Sequence, residues 1–457
     1  MQSPKNKEKK YKIVKNEILV GSALLKDKKI TKHFDRNSYM LNHMNENKAY
    51  KYEIDKSNIN KDNMLKSYKN RFVNYRKNWL NQPKKCIQKK YSTEDLKKKN
   101  ILPLCLDIEV ASICDLACPF CFREFIVTPD KIIDDSFCYN LIDQAADLKI
   151  PSIKFNWRGE PLLHPKLPEF IDYAKSKGIL ETIINTNATT LTKKLSEKLI
   201  KSGLDFMIYS FDGGSAKTYE KNRPGRFKKN NFDKVYNNIV NFKSIKEKMN
   251  AKFPFTKIQM ILTKETFDEQ KKFFELFNHV VDDVSVSQYT ERGGKIADLD
   301  HAGLAQYNHE LKIHNLEFGS PYMRDAFGKI FLAKGRKPCE QPFQRLLVTY
   351  EGRVAMCCHD WGATHPVGFA NKTAFNNHKD YSSVFESVKK NKKGFKLLAN
   401  TKMPKDKNIP IKKVKIIKDI WFGKDIGMIR KAHIKNEGQK IKICKNCSFK
   451  DVYDWIE

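Results

Sequence analysis

The chain has 457 residues, of which 40% are hydrophobic and 11% aromatic, and its formal net charge is +33. This composition excludes a wholly disordered protein and gives enough chain for about two to three domains with real cores. The positive charge would suit an anionic partner, but no basic segment shows the interleaved aromatic residues of a nucleic-acid interface, so nucleic acid is not expected as a partner.

The first residues, MQSPKNKEKK, contain no apolar core for a signal peptide, and the sequence has no apolar run of 18 residues. The eleven cysteines are an odd number, which does not favour a framework of disulfides. These features predict a soluble protein without a transmembrane segment, located in the reducing cytoplasm.

Residues 1–100 are predicted to form a basic, partly helical N-terminal extension. Tyr11–Lys32 shows some strand-like alternation, and Met64–Leu80 has apolar residues near helical spacing, with Pro83 as the predicted stop. Two interpretations are open: a module that recruits substrate or closes over a site, and an extension that packs one helix against the next domain. The second is favoured.

From Leu104 onward, short β-branched runs alternate with amphipathic helical stretches, which predicts βα units and a parallel sheet. The predicted strands are Leu104–Glu109, Ile153–Trp157, Glu181–Thr186, Asp205–Phe211, Thr256–Leu262 and Val284–Gln288. The predicted helices are Asp134–Leu148, Leu167–Lys177, Lys193–Ser202, Asn231–Met249 and Phe267–Val280. Ligands of parallel α/β folds bind at the carboxyl ends of the strands, so the residues that follow each strand are the candidate site.

Directly after the first predicted strand, Cys114, Cys118 and Cys121 have the spacing C-x3-C-x2-C. Three thiolates leave a four-coordinate zinc site one ligand short, and the next histidine, His164, is far along the chain. For an iron–sulfur cube, the missing ligand leaves one iron open to a small molecule. The spacing therefore favours a cluster over a zinc knuckle.

A second set of cysteines lies in the last third of the chain and comprises Cys339, Cys357, Cys444 and Cys447. Four thiolates can complete a structural zinc site or a fully ligated iron–sulfur cube, and spacing alone does not separate the two. Between Cys339 and Cys357, the sequence RLLVTYEGRVAMCC predicts a β-hairpin with Glu351 and Gly352 at the turn. No catalytic residue is assigned; the candidates are Cys358, His359 and Asp360.

The sequence CDLACPFC around the first three cysteines resembles the signature of the radical S-adenosylmethionine (SAM) enzymes. The resemblance implies an α/β fold with a partial (β/α)6 barrel over residues 101–300. It also implies a [4Fe–4S] cluster on Cys114, Cys118 and Cys121 whose open iron binds SAM. Reductive cleavage of SAM would give a 5′-deoxyadenosyl radical that abstracts hydrogen from a substrate carbon.

Further motifs after successive strands resemble the SAM-binding segments of this family. RGEP at residues 158–161 resembles its GGEP motif, with Arg158 in place of a glycine, and NTN at residues 185–187 and SFDG at residues 210–213 resemble two more. An arginine fork also suits a carboxylate physically. The cofactor-binding residues that the resemblance implies are Phe120, Phe122, Gly159, Glu160, Asn187, Ser210 and Arg223.

The C-terminal residues 301–457 resemble the SPASM/twitch auxiliary domain of the same family, in which a β-hairpin and a helix hold a second cluster. The hairpin, Val367–Asn371, Ile420-Trp421, Arg430 and the final C-x2-C pair carry this resemblance. A Lys-rich stretch near residues 388–418 is an insertion relative to shorter members, and a solvated insertion is favoured over a substrate-gripping arm. The resemblance implies a second, auxiliary [4Fe–4S] cluster on Cys339, Cys357, Cys444 and Cys447.

The predicted function is that of a radical SAM oxidoreductase that dehydrogenates or epimerises a small polyol or sugar. The alternative within the family is a peptide maturase, for which a winged-helix leader-binding module near the N-terminus would be the sign. An iron–sulfur or zinc protein that binds nucleic acid without catalysis is the alternative of another class. The expected partners are a small-molecule or peptide substrate and an electron donor such as flavodoxin or ferredoxin.

Overall fold

The computed structural model describes residues 36–121, 123, 130–263, 265–288, 322–324, 330–363, 365–374, 411–445, 447 and 452–455. The strand predicted at Tyr11–Lys32, the predicted SAM contact Phe122 and most of the Lys-rich stretch near residues 388–418 lie outside these residues. No helix in the described parts combines the length and the hydropathy needed to cross a membrane.

Helices precede the first strand of the main sheet. Their bounds are α1 Arg36–Asn42, α2 Lys48–Ile54, α3 Lys61–Gln88 and α4 Thr93–Lys98. Polar residues start three of them: the side chains of Asn47, Asn60 and Ser92 accept backbone N–H groups at the first turns of α2, α3 and α4. Such caps satisfy donors that a helix start leaves without partners.

Six parallel strands with helices between them follow, as the sequence predicted. The strands are β1 Cys105–Ile108, β2 Ser152–Lys154, β3 Glu181–Thr186, β4 Phe206–Ser210, β5 Phe255–Leu262 and β6 Asp283–Gln288. The helices are α5 Asp135–Asp147, α6 Leu167–Ser176, α7 Lys193–Lys201, α8 Ala216–Asn222, α9 Phe232–Lys248 and α10 Gln270–Phe277. Each strand from β1 to β6 pairs in parallel with the next. The predicted α/β fold with a parallel, partial-barrel core is confirmed.

The C-terminal region extends this sheet. Its strands are β7 Tyr322–Arg324, β8 Ile330–Lys337, β9 Arg345–Val348, β10 Arg353–Ala355, β11 Pro366–Phe369 and β12 Val452–Trp455, and its helices are α11 Ile417–Trp421, α12 Lys424–Ile434 and α13 Lys442–Lys445. Strand β9 pairs in parallel with β1, and β10 and β11 continue the sheet beyond it. Strands β7, β8 and β12 form a separate antiparallel sheet.

The predicted hairpin between Cys339 and Cys357 is formed by β9 and β10. Gly352 in its turn has a φ of +100°, which favours glycine, and an added Cβ there would lie 2.4 Å from the Cβ of Asn371. The turn therefore needs a glycine for both its backbone conformation and its contact with the segment after β11.

The prediction that Pro83 ends its helix is wrong, because α3 continues to Gln88. Proline lacks the N–H that would bond to the carbonyl four residues earlier, here that of Trp79. The side chain of Gln344, directly before β9, donates to this Trp79 carbonyl oxygen at 2.6 Å. A tertiary contact thus replaces the missing hydrogen bond and joins α3 to the C-terminal hairpin.

The N-terminal helices pack against the amino ends of the barrel strands. Tyr68, Phe72 and Tyr75 of α3 share a buried cluster with Leu104 and Leu180, which directly precede β1 and β3. The loops of the candidate site follow the carboxyl ends of these strands, on the opposite side of the sheet from the N-terminal helices. For residues 36–100, this position supports packing against the barrel rather than closure over the site.

Candidate active site and second cysteine cavity

The three cysteines of the first motif lie in the loop that follows β1. Cys118 is buried, whereas Cys114 and Cys121 are half-buried. The backbone N–H of Cys121 donates to the carbonyl oxygen of Cys118 at 2.9 Å, so the last two cysteines share a tight turn. The loop therefore places its thiols near the carboxyl end of the parallel sheet, where this fold class positions ligands.

One side of this loop is fixed by the segment after β3. Asp115 accepts hydrogen bonds from Asn187 Nδ2 at 2.8 Å and from Thr189 Oγ1 at 2.5 Å. Asn187 Nδ2 also lies 4.0 Å from Cys114 Sγ. The predicted site residue Asn187 is thus brought to the cysteine loop, where its side chain positions Asp115.

The other side of the loop is fixed by residues 224–226, which follow α8. Leu116 forms a β-bridge with Gly225, and the Ala117 N–H donates to the Pro224 carbonyl oxygen at 2.8 Å. Arg226 donates to the Cys114 carbonyl oxygen at 3.3 Å. Protein contacts from two segments, the one after β3 and residues 224–226, therefore hold the cysteine loop in place.

An acidic side chain holds the two arginines that support this loop. Asp130 accepts two hydrogen bonds from Arg226, at 2.7 and 2.6 Å, and one from Arg123. Arg123 also donates to the Ser112 carbonyl oxygen at 2.8 Å. The sequence analysis did not select Asp130, Arg123 or Arg226. The signal that could have indicated Arg226 is its position three residues after Arg223, in the run Arg223-Pro-Gly-Arg226.

The motif after β2 is packed directly against the cysteine loop. A Cβ on Gly159 would lie 2.3 Å from the Ile113 carbonyl oxygen and 2.4 Å from that of Ala111. The Glu160 N–H donates to the same Ile113 oxygen at 2.8 Å. Only glycine allows this approach, so Gly159 is required where the two loops meet.

The Glu160 carboxylate is buried and organises the neighbouring motif. It accepts hydrogen bonds from Leu162 N at 3.0 Å, Thr186 Oγ1 at 2.7 Å and Asn187 N at 2.7 Å. Burial, together with the negative charge of Asp115, raises the pKa of Glu160 to about 7. An ammonium group on a ligand beside it would favour the ionised carboxylate.

Arg158, which departs from the family pattern, forms a buried ion pair. Its Nε and Nη2 atoms donate to the two carboxylate oxygens of Glu109, each at 2.6 Å. Glu109 also accepts the Tyr350 N–H at 3.2 Å. This bidentate pair therefore joins the ends of β1, β2 and β9, and the substitution has a structural role in this chain.

The remaining predicted contacts lie around the same edge. Ser210 ends β4, and Arg223 is buried, with its Nε donating to Asp212 at 2.7 Å. Phe120 is half-buried against the main core, and Phe122 is outside the described residues. The structure thus brings Phe120, Gly159, Glu160, Asn187, Ser210 and Arg223 to the loops that follow successive strands, while their roles in binding stay predictions.

The thiols of this loop fit a metal-bound group. Burial raises the pKa of Cys118 to about 12 despite the opposing charge of Arg223, and it raises the pKa of Cys114 well above its usual value. Free thiols in this environment stay protonated at neutral pH. Iron binding supplies the positive charge that makes such thiols into thiolates.

The four later cysteines line one small cavity, although they come from three separate segments of the chain. Cys339 follows β8, Cys357 follows β10, and Cys444 and Cys447 lie in and after α13. Its lining residues are Cys339, Gln341, Pro342, Met356, Cys357, His359, His433, Cys444 and Cys447. Burial raises the pKa of Cys339 and of Cys357 well above the ordinary value for a thiol.

A buried arginine lies behind this cavity. Arg430 is 2% exposed and donates to the carbonyl oxygens of Pro342 and Trp421, at 3.0 and 2.7 Å, and it forms no ion pair with a carboxylate among the described residues. Burial lowers the pKa of Arg430 to about 9. An anionic group in the adjacent cavity would stabilise this cation, as a cluster with four thiolates does.

His433 also lines the cavity, and the sequence analysis did not select it. Its Nε2 atom lies 3.7 Å from Cys444 Sγ, and its side chain is buried. The histidine lies eleven residues before Cys444, so no short metal-ligand spacing marked it.

The candidate catalytic residues lie in the loop after β10. Asp360 is fully buried and accepts the His365 N–H at 2.8 Å, which shapes the loop. The Cys358 carbonyl oxygen accepts Trp157 Nε1–H at 3.2 Å, and His359 lines the cysteine cavity. Their catalytic roles stay predictions.

Among the described residues, no three His, Cys, Asp or Glu side chains already form the ligand set of a single metal ion. The fit to a cluster therefore depends on the shared loop or cavity, the burial of the thiols and their number.

Comparison with known proteins gives a family match. The model of the radical SAM superfamily matches residues 108–277, which include the cysteine loop and most of the barrel. A GTP 3′,8-cyclase of Chlorobaculum tepidum is 36% identical over 106 residues, covering 23% of this chain and 32% of that protein. The mycofactocin maturase of Mycolicibacterium smegmatis is 25% identical over 174 residues, covering 38% of this chain and 41% of that protein.

The first of these matches span only about a third of the length of the curated relatives. Among solved structures, SuiB of Streptococcus suis bound to the precursor peptide SuiA is 18% identical, with a TM-score of 0.46, and covers 87% of this chain and 76% of that one. Radical SAM enzymes use a [4Fe–4S] cluster and SAM, which agrees with the thiol loop described above. Residues 108–277 of this chain thus form a radical SAM domain.

Proposed function

We propose that this radical SAM enzyme uses its barrel site to generate a substrate radical and a second cluster to oxidise that radical. The proposal is carried by the convergence of four cysteines on one cavity: Cys339, Cys357, Cys444 and Cys447. The hairpin that positions Cys357 is joined to the barrel sheet, because its strand β9 pairs with β1. Four thiolates saturate a cube, so a cluster there has no open iron for SAM and is suited to electron transfer.

The chain's own residues hold and position the first group. Cys114, Cys118 and Cys121 would bind three irons, and Asp115 and Arg226 keep their loop in place. When bound, the cluster supplies the electron that cleaves SAM to a 5′-deoxyadenosyl radical. The Glu160 carboxylate has used three acceptor positions within the protein, which leaves capacity for one contact with a SAM ammonium group.

The proposed substrate is a small polyol or sugar that loses two electrons and two protons. Hydrogen abstraction would remove one hydrogen atom. A cluster held by Cys339, Cys357, Cys444 and Cys447 would supply the acceptor for the second electron, and a base or water would take the second proton. Within residues 36–100, the structure describes four α-helices and one 3-10 helix and no strand, so this region offers no winged-helix module in support of a peptide substrate.

A peptide substrate is the second candidate. It is favoured by relatives whose names identify peptide chemistry, such as a PqqA peptide cyclase of Granulibacter bethesdensis, 28% identical over 120 residues. For this candidate, the second cluster would still accept an electron from a substrate radical.

The test is formation of 5′-deoxyadenosine from SAM by the anaerobically purified protein with dithionite as reductant. Cleavage without added substrate would support the radical SAM assignment. Separate pools of polyols and sugars and of short peptides would then be screened for stimulation. Stimulation by a polyol with formation of the corresponding carbonyl product supports the first candidate, and stimulation by peptides alone overturns it. Absence of SAM cleavage by the iron-loaded protein would contradict the proposal as a whole.

A further inference from the structure

The cavity of the second cysteine set contains a polar group that is not one of its four thiols. His433 Nε2 lies 3.7 Å from Cys444 Sγ, within hydrogen-bond distance for sulfur. The His433 side chain is 3% exposed, so bulk water does not compete freely for this contact.

The local fold holds the imidazole in this position. His433 lies in the last turn of α12. Just beyond the helix, Asn436 has a φ of +57° and the Glu437 N–H donates to the Ala432 carbonyl oxygen at 2.7 Å. This is a helix C-terminal motif that turns the chain sharply. The turn places Gly438 against the ring, where an added Cβ would lie 3.0 Å from Cε1 and 3.1 Å from Nδ1.

The chemistry of a ligated thiol fixes the direction of the hydrogen bond. A cysteine bound to iron has lost its proton, so its sulfur can only accept. Imidazole can donate from Nε2, with Nδ1 as the other ring nitrogen.

We propose that His433 is a positioning residue of the second cluster. Its Nε2–H donates to Cys444 Sγ, and this hydrogen bond raises the reduction potential of the cluster. This inference rests on the proposed second cluster. A hydrogen bond to a cluster sulfur stabilises the more negative, reduced form, so it makes the cluster a better electron acceptor. His433 thereby serves the oxidative step without contacting the substrate.

The test isolates the second cluster by replacing Cys114, Cys118 and Cys121 with alanine in the full-length chain. The potential of the remaining cluster is then measured by EPR-monitored redox titration, with and without His433→Phe. We expect His433→Phe to lower the equilibrium constant for reduction by roughly tenfold, which is 59 mV for a one-electron couple. The iron content should be unchanged, because His433 is not a ligand.

His433→Gln is the matched variant, since its side-chain amide can still donate to the sulfur. It should restore most of the potential, whereas a role of the ring in packing alone would leave the Gln variant shifted like the Phe variant. An unchanged potential in His433→Phe would overturn the proposal, as would loss of the cluster in both variants, which would make His433 a ligand or a folding requirement. Absence of any cluster in the parent Cys→Ala protein would instead refute the proposed second cluster.

Discussion

The two cysteine sites are built in opposite ways. The first has three cysteines within eight residues, in a loop whose backbone and side chains are held by Asp115, Arg226 and Gly159. The second gathers four thiols from three segments spread over residues 339–447, and its lining also includes Gln341, His359 and His433.

This difference teaches that the first site is specified locally and the second by the tertiary fold. A short loop limits where its thiols can lie, so spacing alone carries much of the information. The second site exists only if β9, β10, α12 and α13 are assembled correctly. Because the two sites share no cysteine, replacing the cysteines of one site should leave the cluster of the other site bound.

The largest expected effect is on SAM cleavage, which should depend on the cysteines of the first site and not on those of the second. Cys118→Ala removes a ligand of the cluster that binds SAM, and 5′-deoxyadenosine formation should fall to the background of iron-free protein. Cys444→Ala should leave substrate-independent SAM cleavage near the wild-type rate while abolishing the oxidised product. The assay is anaerobic 5′-deoxyadenosine formation with dithionite. Equal loss in both variants would show that the sites are not separable.

The next effect concerns the link between the barrel and the hairpin. Arg158→Met leaves the buried Glu109 carboxylate without its bidentate partner, and we expect a loss of about 3–5 kcal/mol in the free energy of unfolding. Denaturant unfolding measures it. The double variant Arg158→Met/Glu109→Leu removes both charges and should recover much of the stability. A single variant as stable as the wild type would show that this pair does not hold the strands together.

A smaller effect is expected where the second motif meets the cysteine loop. Gly159→Ala inserts a Cβ that would lie 2.3 Å from the Ile113 carbonyl oxygen, so the loop must move. We expect a loss of about 1–3 kcal/mol and weaker retention of the first cluster. Iron content after gel filtration checks the second effect. Gly178→Ala is the control, because no atom lies within 4 Å of its added Cβ, so a loss of stability there comes from its φ of +83° and not from a steric clash.

An effect of similar size tests how the N-terminal helices are joined to the C-terminal hairpin. Gln344→Leu leaves the Trp79 carbonyl oxygen without its donor, at a cost of about 1–3 kcal/mol. Pro83→Ala in the same background restores an N–H within α3 and should recover part of that loss. Thermal unfolding of the two variants and the double variant measures the coupling. No recovery in the double variant would contradict this explanation of the continuous helix.

The barrel could be predicted from the sequence because strand and helix periodicities alternate clearly between Leu104 and Gln288. The end of α3 could not, because the donor that compensates for Pro83 comes from Gln344, 261 residues later in the sequence. Likewise, the sequence shows Arg158 only as a departure from a glycine motif, and the fold is needed to show that Arg158 pairs with Glu109. The residues that support each site, such as Asp130 and His433, have no fixed spacing to the cysteines and depend on tertiary contacts.

The central claim is that this chain holds two clusters on separate sets of cysteines. Iron and sulfide content, with EPR spectra, should be measured on anaerobically purified wild-type protein and on the Cys114/Cys118/Cys121→Ala variant. We predict about eight irons in the wild type and about four in the variant, because each set holds one [4Fe–4S] cluster. A variant that has lost all its iron and retains one zinc would contradict the claim and assign the second cysteine set to a structural zinc site.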